Sequence, residues 1–264
     1  MLLTPCGGGL ASDQVPTPRL ASLDNFRDVG GAAGGYPTVD GRQVRRGVFY
    51  RSGALTENTT DKAALDALAI AAVYDLRTPG EIARVSDLLP AGALYQNINV
   101  TGLDDLTLPP LDNAANAVTS MESAERLYVS DSMQRAAYGT LLAQLASTRG
   151  PQLIHSSAGK DRTGWVAALL LSIANVPLDV IMQDYLLTNT YSAASIAARV
   201  QARRETQGEL AATIEAPLAG VQNSFLQAGF DQVQASYGTM SSYLTRGLGL
   251  TQSTIDALRD RLLM

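Results

Sequence analysis

The residues best suited to chemistry lie in one short stretch, "LIHSSAGKDRTGW", residues 153–165. Five residues separate Ser156 from Arg162, and a Thr-Gly pair follows the arginine. Gly159 allows a backbone turn that a larger residue would resist, and the planar fork of Arg162 can grip two phosphate oxygens. A helix beginning directly after such a loop presents backbone N–H groups to a dianion. The stretch therefore predicts a phosphate-binding loop, here called the phosphate loop, over residues 156–162.

A nucleotide-binding Walker loop is a poor match to the same stretch. That motif needs a glycine five residues before Gly159 and a serine or threonine directly after the lysine. This chain has Ile154 and Asp161 at those two positions. The stretch therefore departs from the Walker motif at both positions.

A serine hydrolase is also disfavoured. Its base must reach the serine, yet His155 is the neighbouring residue on a predicted strand, so its side chain should point to the other face. His155 is the only histidine in the chain. Backbone dipoles and Arg162 would stabilise a thiolate at position 156, whereas a serine hydroxyl there stays protonated. We expect this chain to bind phosphate without forming a covalent phosphoenzyme at a useful rate.

Composition excludes several further classes of function. The chain has 264 residues, 46% of them hydrophobic, which is ample for a substantial core. One cysteine and one histidine cannot supply a disulfide framework or a zinc site built from these residues, and no loop is spaced for magnesium or calcium. A net charge of −5 gives no footprint for nucleic acid. No apolar run reaches membrane-spanning length, so we expect no transmembrane segment.

The first 20 residues are rich in glycine and proline and have little to bury, and we expect a disordered or remnant N-terminal tail. Residues 3–6, "LTPC", resemble a lipoprotein cleavage box only poorly, because a proline precedes the cysteine and no hydrophobic segment comes first. Secretion or a periplasmic location rests on this tail alone, and a cytoplasmic location is equally compatible. Residues 21–264 are expected to form a single domain.

Short apolar runs alternate with helical patterns after the tail, which favours an α/β domain. The apolar runs predict four strands, over residues 47–53, 70–76, 93–100 and 150–155. Helical patterns are found over residues 59–70, 132–147, 193–235 and 251–263. Two further helices are predicted to begin at residue 163 and at Pro177, with the proline in position N1. Residues 101–131 have the composition of a loop and are predicted to be an insertion.

The pattern of a histidine, a nucleophile, five residues, an arginine and a threonine resembles the cysteine-dependent phosphatases. "AGKDRTG" is similar to their bacterial tyrosine and lipid phosphatase subgroup. Other segments resemble that subgroup in the same order, namely "LDNFRDVGG" (23–31), "FYRSGAL" (49–55), "YDLRTPGE" (74–81), "DYLLTN" (184–189) and "YGTMSSYL" (237–244). The resemblance spans residues 20–264. It implies a mostly parallel central sheet flanked by helices, the protein tyrosine phosphatase-like fold.

The resemblance also implies a two-step transfer of the phosphoryl group without a metal or cofactor. Ser156 occupies the position of the nucleophile, Arg162 holds the phosphate, and the hydroxyl of Thr163 would stabilise a thiolate. His155 would orient the loop, while Ser157, Ala158, Gly159 and Lys160 complete the binding site, with Lys160 adding charge near substrate. The implied ligands are phosphotyrosine proteins or peptides, phosphoinositides and inorganic phosphate. The resemblance also implies a helical lid within residues 193–235, and an ordinary pair of surface helices is equally compatible with that stretch.

The general acid has two candidates. Asp161 lies in the loop and Asp75 lies in "YDLRTPGE". A neighbouring arginine and a bound dianion shift either pKa in opposite directions, so the sequence does not rank them. We favour Asp161, and Asp75 has the competing interpretation of a brace paired with Arg77 or Arg51.

Ser156 itself departs from the family pattern. It is either an engineered replacement of the cysteine that traps substrate, or the natural residue of a phosphate-binding pseudophosphatase. The other residues needed for turnover are present, which favours replacement of a functional cysteine.

Overall fold

The computed structural model of the protein describes residues 17–20, 22–56, 59–107 and 109–264. Most of the predicted N-terminal tail, including Cys6 and the "LTPC" segment, lies outside the described residues. Within the described part of the tail, Leu20 is buried in the core and Thr17 bonds Asp28.

A five-stranded sheet forms the centre of the domain, in the order β1-β2-β5-β3-β4. The strands are β1 (Arg27–Asp28), β2 (Phe49–Ser52), β3 (Ala72–Asp75), β4 (Leu94–Asn97) and β5 (Gln152–His155). Only β1 is antiparallel to its neighbour, and β2, β5, β3 and β4 run parallel. The predicted mostly parallel sheet is confirmed.

Twelve helices are described in the same part of the chain. They are α1 (Thr59–Ala67), α2 (Pro79–Arg84), α3 (Ala114–Ser130), α4 (Ser132–Ser147), α5 (Asp161–Ile173), α6 (Leu178–Leu186), α7 (Thr188–Tyr191), α8 (Ala193–Gln207), α9 (Glu209–Ala219), α10 (Asn223–Tyr237), α11 (Met240–Ser242) and α12 (Gln252–Leu262). A π-helical turn, Tyr243–Gly247, follows α11. Among the described residues, no helix is long and apolar enough to span a membrane.

Two sequence predictions need correction. The stretch 101–131, predicted as a loop, contains α3, whose first turn is capped because Asn113 accepts a hydrogen bond from the backbone N–H of Asn116. Pro177 is the N-cap of α6 and not its first helical residue. The remaining predicted strands and helices are confirmed, with shifts of a few residues at their ends.

The sheet separates two hydrophobic cores. The smaller core lies on the side of α1 and includes Val73 and Leu153. The larger core lies on the opposite face, includes Tyr74 and Ile154, and contains α5, which is buried almost all round. Alternate strand residues therefore face opposite cores, as the two-residue period of a strand requires.

Parallel pairing brings the carboxyl ends of three strands together at one edge. Ser52 and Asp75 both lie opposite His155 in register. The chain leaves the central strand β5 at this edge and enters α5 six residues later. The fold thus places the phosphate loop between the segments that follow β2 and β3.

We predict that Gly139→Ala destabilises the fold by about 1–3 kcal/mol. A Cβ on this α4 residue would lie 2.3 Å from the carbonyl oxygen of Leu248, and this backbone contact outweighs the gain in helix propensity of about 1 kcal/mol. Urea denaturation measures the change. Thr140→Ala, an exposed site on the same helix, is the matched control. A Gly139→Ala variant as stable as the parent would contradict this packing.

Candidate active site

The phosphate loop leaves β5 after His155 and ends at the start of α5, so its residues surround a helix N-terminus. Ser156 is only 2% exposed, at the base of the loop. The Thr163 hydroxyl donates a hydrogen bond to the Ser156 hydroxyl at 3.0 Å. The same donor would stabilise an anion at this position, and the helix terminus adds a favourable field.

Arg162 is held by a carboxylate from another segment. Its Nη2 and Nη1 lie 2.7 and 2.8 Å from the two carboxylate oxygens of Glu81, and Nη1 also donates to the carbonyl of Leu76. This two-pronged ion pair fixes the plane of the guanidinium before any ligand binds. The orientation of Arg162 is therefore built into the folded protein.

Glu81 was not identified from the sequence, although it carries a local signal. Its carboxylate accepts from the backbone N–H of Thr78, whose hydroxyl in turn accepts from the N–H of Glu81. This capping box starts α2, and its T-x-x-E spacing is visible in "YDLRTPGE". Ser157 also donates to Glu81, so one carboxylate caps α2, orients Arg162 and holds the loop. Burial opposes its charge, but Arg162 lowers the pKa of Glu81 to about 2.

Two side chains hold the loop from behind. Asn25 Nδ2 and Arg51 Nη2 lie 2.6 and 2.7 Å from the carbonyl oxygen of Gly159. Because C=O and N–H point in opposite directions across a trans peptide, a carbonyl bonded at the rear directs the next N–H towards the front. Asn25 and Arg51 therefore help to aim the backbone amides of the phosphate loop into the pocket.

A buried ion cluster supports these two residues. Asp184 on α6 pairs with Arg27 and Arg51, each at 3.2 Å, and accepts a hydrogen bond from Tyr36. Burial opposes the charge, but the two arginines hold the pKa of Asp184 below its usual value. Two guanidinium groups against one carboxylate leave positive charge behind the loop, which favours a bound dianion.

Asp75 forms a buried ion pair with Arg77, which is the bracing interaction considered from the sequence. Both of its oxygens bond Arg77, at 2.8–3.1 Å, and it also accepts from the Tyr95 hydroxyl. Burial raises the pKa of Asp75, but Arg77 outweighs this and holds it below its usual value. Of the two partners considered from sequence, Arg77 contacts Asp75, while Arg51 pairs with Asp184.

The side chain of His155 faces the Asp75–Arg77 ion pair. Its Nε2 lies 3.4 Å from Oδ2 of Asp87, and burial lowers its pKa. Asp75, Asp87 and His155 are the one group with metal-ligand geometry in the described chain, with atoms within 4.8 Å of one another. Arg77 binds both carboxylates, so it already supplies the positive charge that a metal ion would bring.

Asp161 lies at the first position of α5. Lys160 Nζ lies 3.0 Å from its Oδ2, and the Tyr185 hydroxyl donates to Oδ1 at 3.4 Å. Lys160 is itself only 6% exposed and reaches the carbonyl of Gly220, at the end of α9. The two residues connect the phosphate loop to the helices above it.

The mouth of the site is a cavity of about 240 Å³. Ser157, Ala158 and Lys160 line one side, and the other side is formed by residues of α8 and its neighbours, including Ile196 and Arg199. Of the predicted site residues, Ser157, Ala158 and Lys160 line this cavity. Ser156, Arg162 and Thr163 are buried in or directly after the same loop, and Asp75 is held by Arg77.

We expect Gly159→Ala to weaken binding of orthovanadate at least tenfold, a cost of about 1.4 kcal/mol or more. Gly159 has φ of +63°, and a Cβ there would lie 2.2 Å from the carbonyl oxygen of Ser52, so the loop cannot keep its shape. Isothermal calorimetry measures the affinity. Gly41→Ala shares the positive φ but meets no atom within 4 Å, and it should bind normally. Equal losses of vanadate affinity in both variants would contradict this explanation.

Glu81 should contribute stability above its ordinary pKa of 4.5, and the contribution should vanish as pH falls towards about 2. The sign follows from a folded-state pKa that lies below the unfolded value. In urea denaturation, the stability difference between the parent and Glu81→Gln should shrink steadily across this window. Glu205→Gln, on exposed α8, is the control. A difference independent of pH would show that the Arg162 pair is not the cause.

Comparison with known proteins agrees with this geometry. A family model described as the tyrosine phosphatase family matches residues 18–264. The chain is 30% identical to the triple specificity protein phosphatase PtpB of Mycobacterium tuberculosis, over 90% of this chain and 96% of that protein. It is also 30% identical to a candidate tyrosine-protein phosphatase of Cupriavidus necator, over 86% and 82% of the two chains. A tyrosine-protein phosphatase of Nostoc commune is 31% identical over 59% of this chain and 53% of its own length. With a loop of this geometry and a match along almost its whole length, the chain belongs to the tyrosine phosphatase family.

Proposed function

We propose that this fold hydrolyses phosphotyrosine through a cysteinyl-phosphate intermediate, and that the chain with Ser156 is its substrate-trapping form. The observation that carries the proposal is the donor set around position 156. Thr163 bonds the side chain at this position, and Glu81 holds Arg162 in a fixed plane beside it. A thiolate at the base of such a loop would be stabilised and aligned for attack on phosphorus.

Asp161 is the proposed general acid. It lies at the rim of the loop and is partly exposed, so it can reach the leaving oxygen of a bound monoester. Asp75 is fully buried and its pKa is held low by Arg77, so it remains ionised and has no proton to donate. His155 packs at the base of the loop beside Asp87, whose Oδ2 lies 3.4 Å from its Nε2.

We favour an aryl phosphate as the substrate, because the near-complete burial of Ser156 suits a phosphate group carried on a long, flat substituent such as a tyrosine ring. Phosphoserine, phosphothreonine and phosphoinositides are further proposed substrates. They are supported by Lys160 at the rim of the cavity and by the similarity to the mycobacterial relative, a triple specificity protein phosphatase.

Helices α8 and α9 are the proposed lid. α8 has no buried residue and is tied to α9 through Arg199 and Arg203, which both bind Glu215. Ser195 reaches Asp24 on the opposite side of the cavity, at 2.7 Å. Both α9, through Leu218, and α10, through Phe225 and Leu226, bury residues in the larger core, so opening would begin at α8, which buries none.

A natural pseudophosphatase is the second candidate, and Ser156 itself is the observation that favours it. The loop, Arg162 and its partners would then recognise a phosphorylated ligand and retain it. The phosphatase and the pseudophosphatase would have the same binding site. They differ in whether the form with cysteine at position 156 hydrolyses its ligand.

We expect Ser156→Cys to raise hydrolysis of p-nitrophenyl phosphate by about 10³-fold or more, the order of effect that a nucleophile has in other hydrolases. Release of nitrophenolate measures the rate, and acid quenching measures the covalent phosphoenzyme. Ser157→Cys, which places a thiol one residue along the loop, should remain inactive. A Ser156→Cys protein that binds aryl phosphates but does not hydrolyse them would contradict the enzyme proposal and support the second candidate, a phosphate-binding pseudophosphatase.

A further inference from the structure

A second cavity lies at the end of the sheet opposite the phosphate loop. It has a volume of about 240 Å³ and is lined by Arg45, Gly47, Val48, Gly150, Pro151 and Arg261. Val48 directly precedes β2 and Pro151 directly precedes β5, so this cavity lies at the amino ends of the two strands. The phosphate loop follows the carboxyl end of β5, and a strand of four residues spans about 13 Å. The cavity, here called the arginine cavity, is therefore separate from the candidate active site.

Arg261, on α12, is held in a fixed orientation at the wall of the arginine cavity. Its Nη2 donates to the carbonyl oxygen of Gly150 at 2.7 Å, and its guanidinium lies over the ring of Phe49, 5.0 Å from the ring centroid. No other hydrogen bond from this guanidinium is found among the described residues. Most of its N–H donors therefore remain available to a ligand.

Arg45 comes from the segment before β2 and is bonded to the same end of α12. Its backbone N–H donates to the carbonyl of Leu262 at 2.6 Å, and its Nη2 donates to that of Leu263 at 2.8 Å. Because Leu262 directly follows Arg261, these bonds bring the two arginines to one wall of the cavity. Two like charges placed together repel, and an anion that binds both offsets the repulsion.

Neither arginine has a carboxylate within ion-pair distance among the described residues, and Asp260, which precedes Arg261, is exposed. Burial lowers the pKa of Arg261, as expected for a cation that no acid offsets. The fully buried arginines of the fold differ in this respect, since each is paired with a carboxylate, namely Arg27 and Arg51 with Asp184, Arg77 with Asp75 and Arg162 with Glu81. The arginine cavity thus has an excess of positive charge in a chain whose net charge is −5.

We propose that the arginine cavity is a second anion site, which binds inorganic phosphate or the phosphate group of a monoester between Arg45 and Arg261. The planar fork of a guanidinium matches two phosphate oxygens, and two such groups supply the charge that a dianion requires. The site shares no residue with the phosphate loop, so the inference goes beyond the proposed phosphatase reaction and does not depend on it.

The test titrates the chain as it stands with inorganic phosphate and follows backbone N–H signals by NMR. The signals of Val48 and Gly150 should shift and saturate, independently of those of the phosphate loop. Arg261→Gln should weaken binding at the cavity by about tenfold or more, the order of effect of one charge-assisted hydrogen bond, and leave binding at the loop unchanged. Arg246→Gln removes the same charge from an exposed position on the π-helical turn and should change neither.

Arg45→Gln is the second variant, because Arg45 is exposed and its side chain can be replaced without disturbing the core. Urea denaturation checks that each variant is folded. Cavity signals that do not respond to phosphate, that respond equally to chloride at the same ionic strength, or that keep their affinity in both variants would overturn the proposal.

Titration with phenyl phosphate distinguishes the two sources of the anion. Tighter binding of phenyl phosphate than of inorganic phosphate at the cavity supports the phosphate group of a monoester, and equal or weaker binding supports free phosphate. If the cavity signals respond while those of the phosphate loop do not, the proposed function fails and the second anion site is retained.

Discussion

The proposed phosphate site depends on the fixed positions of the loop backbone and of the Arg162 guanidinium near residue 156. Amides alone would not hold that shape, because a loop with Gly159 has many alternative conformations. The shape is kept by contacts on its outer side, where Asn25 and Arg51 bind the Gly159 carbonyl and Glu81 binds Arg162. A bound dianion therefore meets donors that are already oriented, which is the basis of electrostatic stabilisation in enzymes.

Charged side chains surround the outer side of the loop and form two separate groups, each with an excess of one sign of charge. Asp184 with Arg27 and Arg51 leaves a positive surplus behind the loop, whereas Asp75 and Asp87 with Arg77 leave a negative one beside His155. Both groups are buried, so neither is strongly screened by solvent. The first favours the phosphate dianion. The second holds the pKa of Asp75 low, which is why Asp161 is the proposed general acid.

The helices above the sheet give the site its enclosure. α3, in the segment with the composition of a loop, supplies Glu125 and packs against α9 and α10. Gly220 directly follows α9 and its carbonyl accepts a hydrogen bond from Lys160, so these helices and the phosphate loop share a direct contact. Glu125 is fully buried among the helices, whereas Asp161 remains partly exposed.

Sequence alone determined the parts that depend on neighbouring residues. The β5–loop–α5 unit, the position of Ser156, the roles open to Arg162 and the α/β class all follow from local spacing and alternation. Helix α3 was missed because the Asp, Asn, Pro and Thr content of 101–113 was averaged with the helical residues after it, although Asn113 is an ordinary N-cap. Only the tertiary structure paired Arg162 with Glu81, 81 residues away, assigned Arg77 rather than Arg51 to Asp75, and buried Glu125 completely among the helices. Local pattern sets which groups a segment presents, but contacts between distant segments are chosen by how helices pack on the sheet, which no single stretch of sequence encodes.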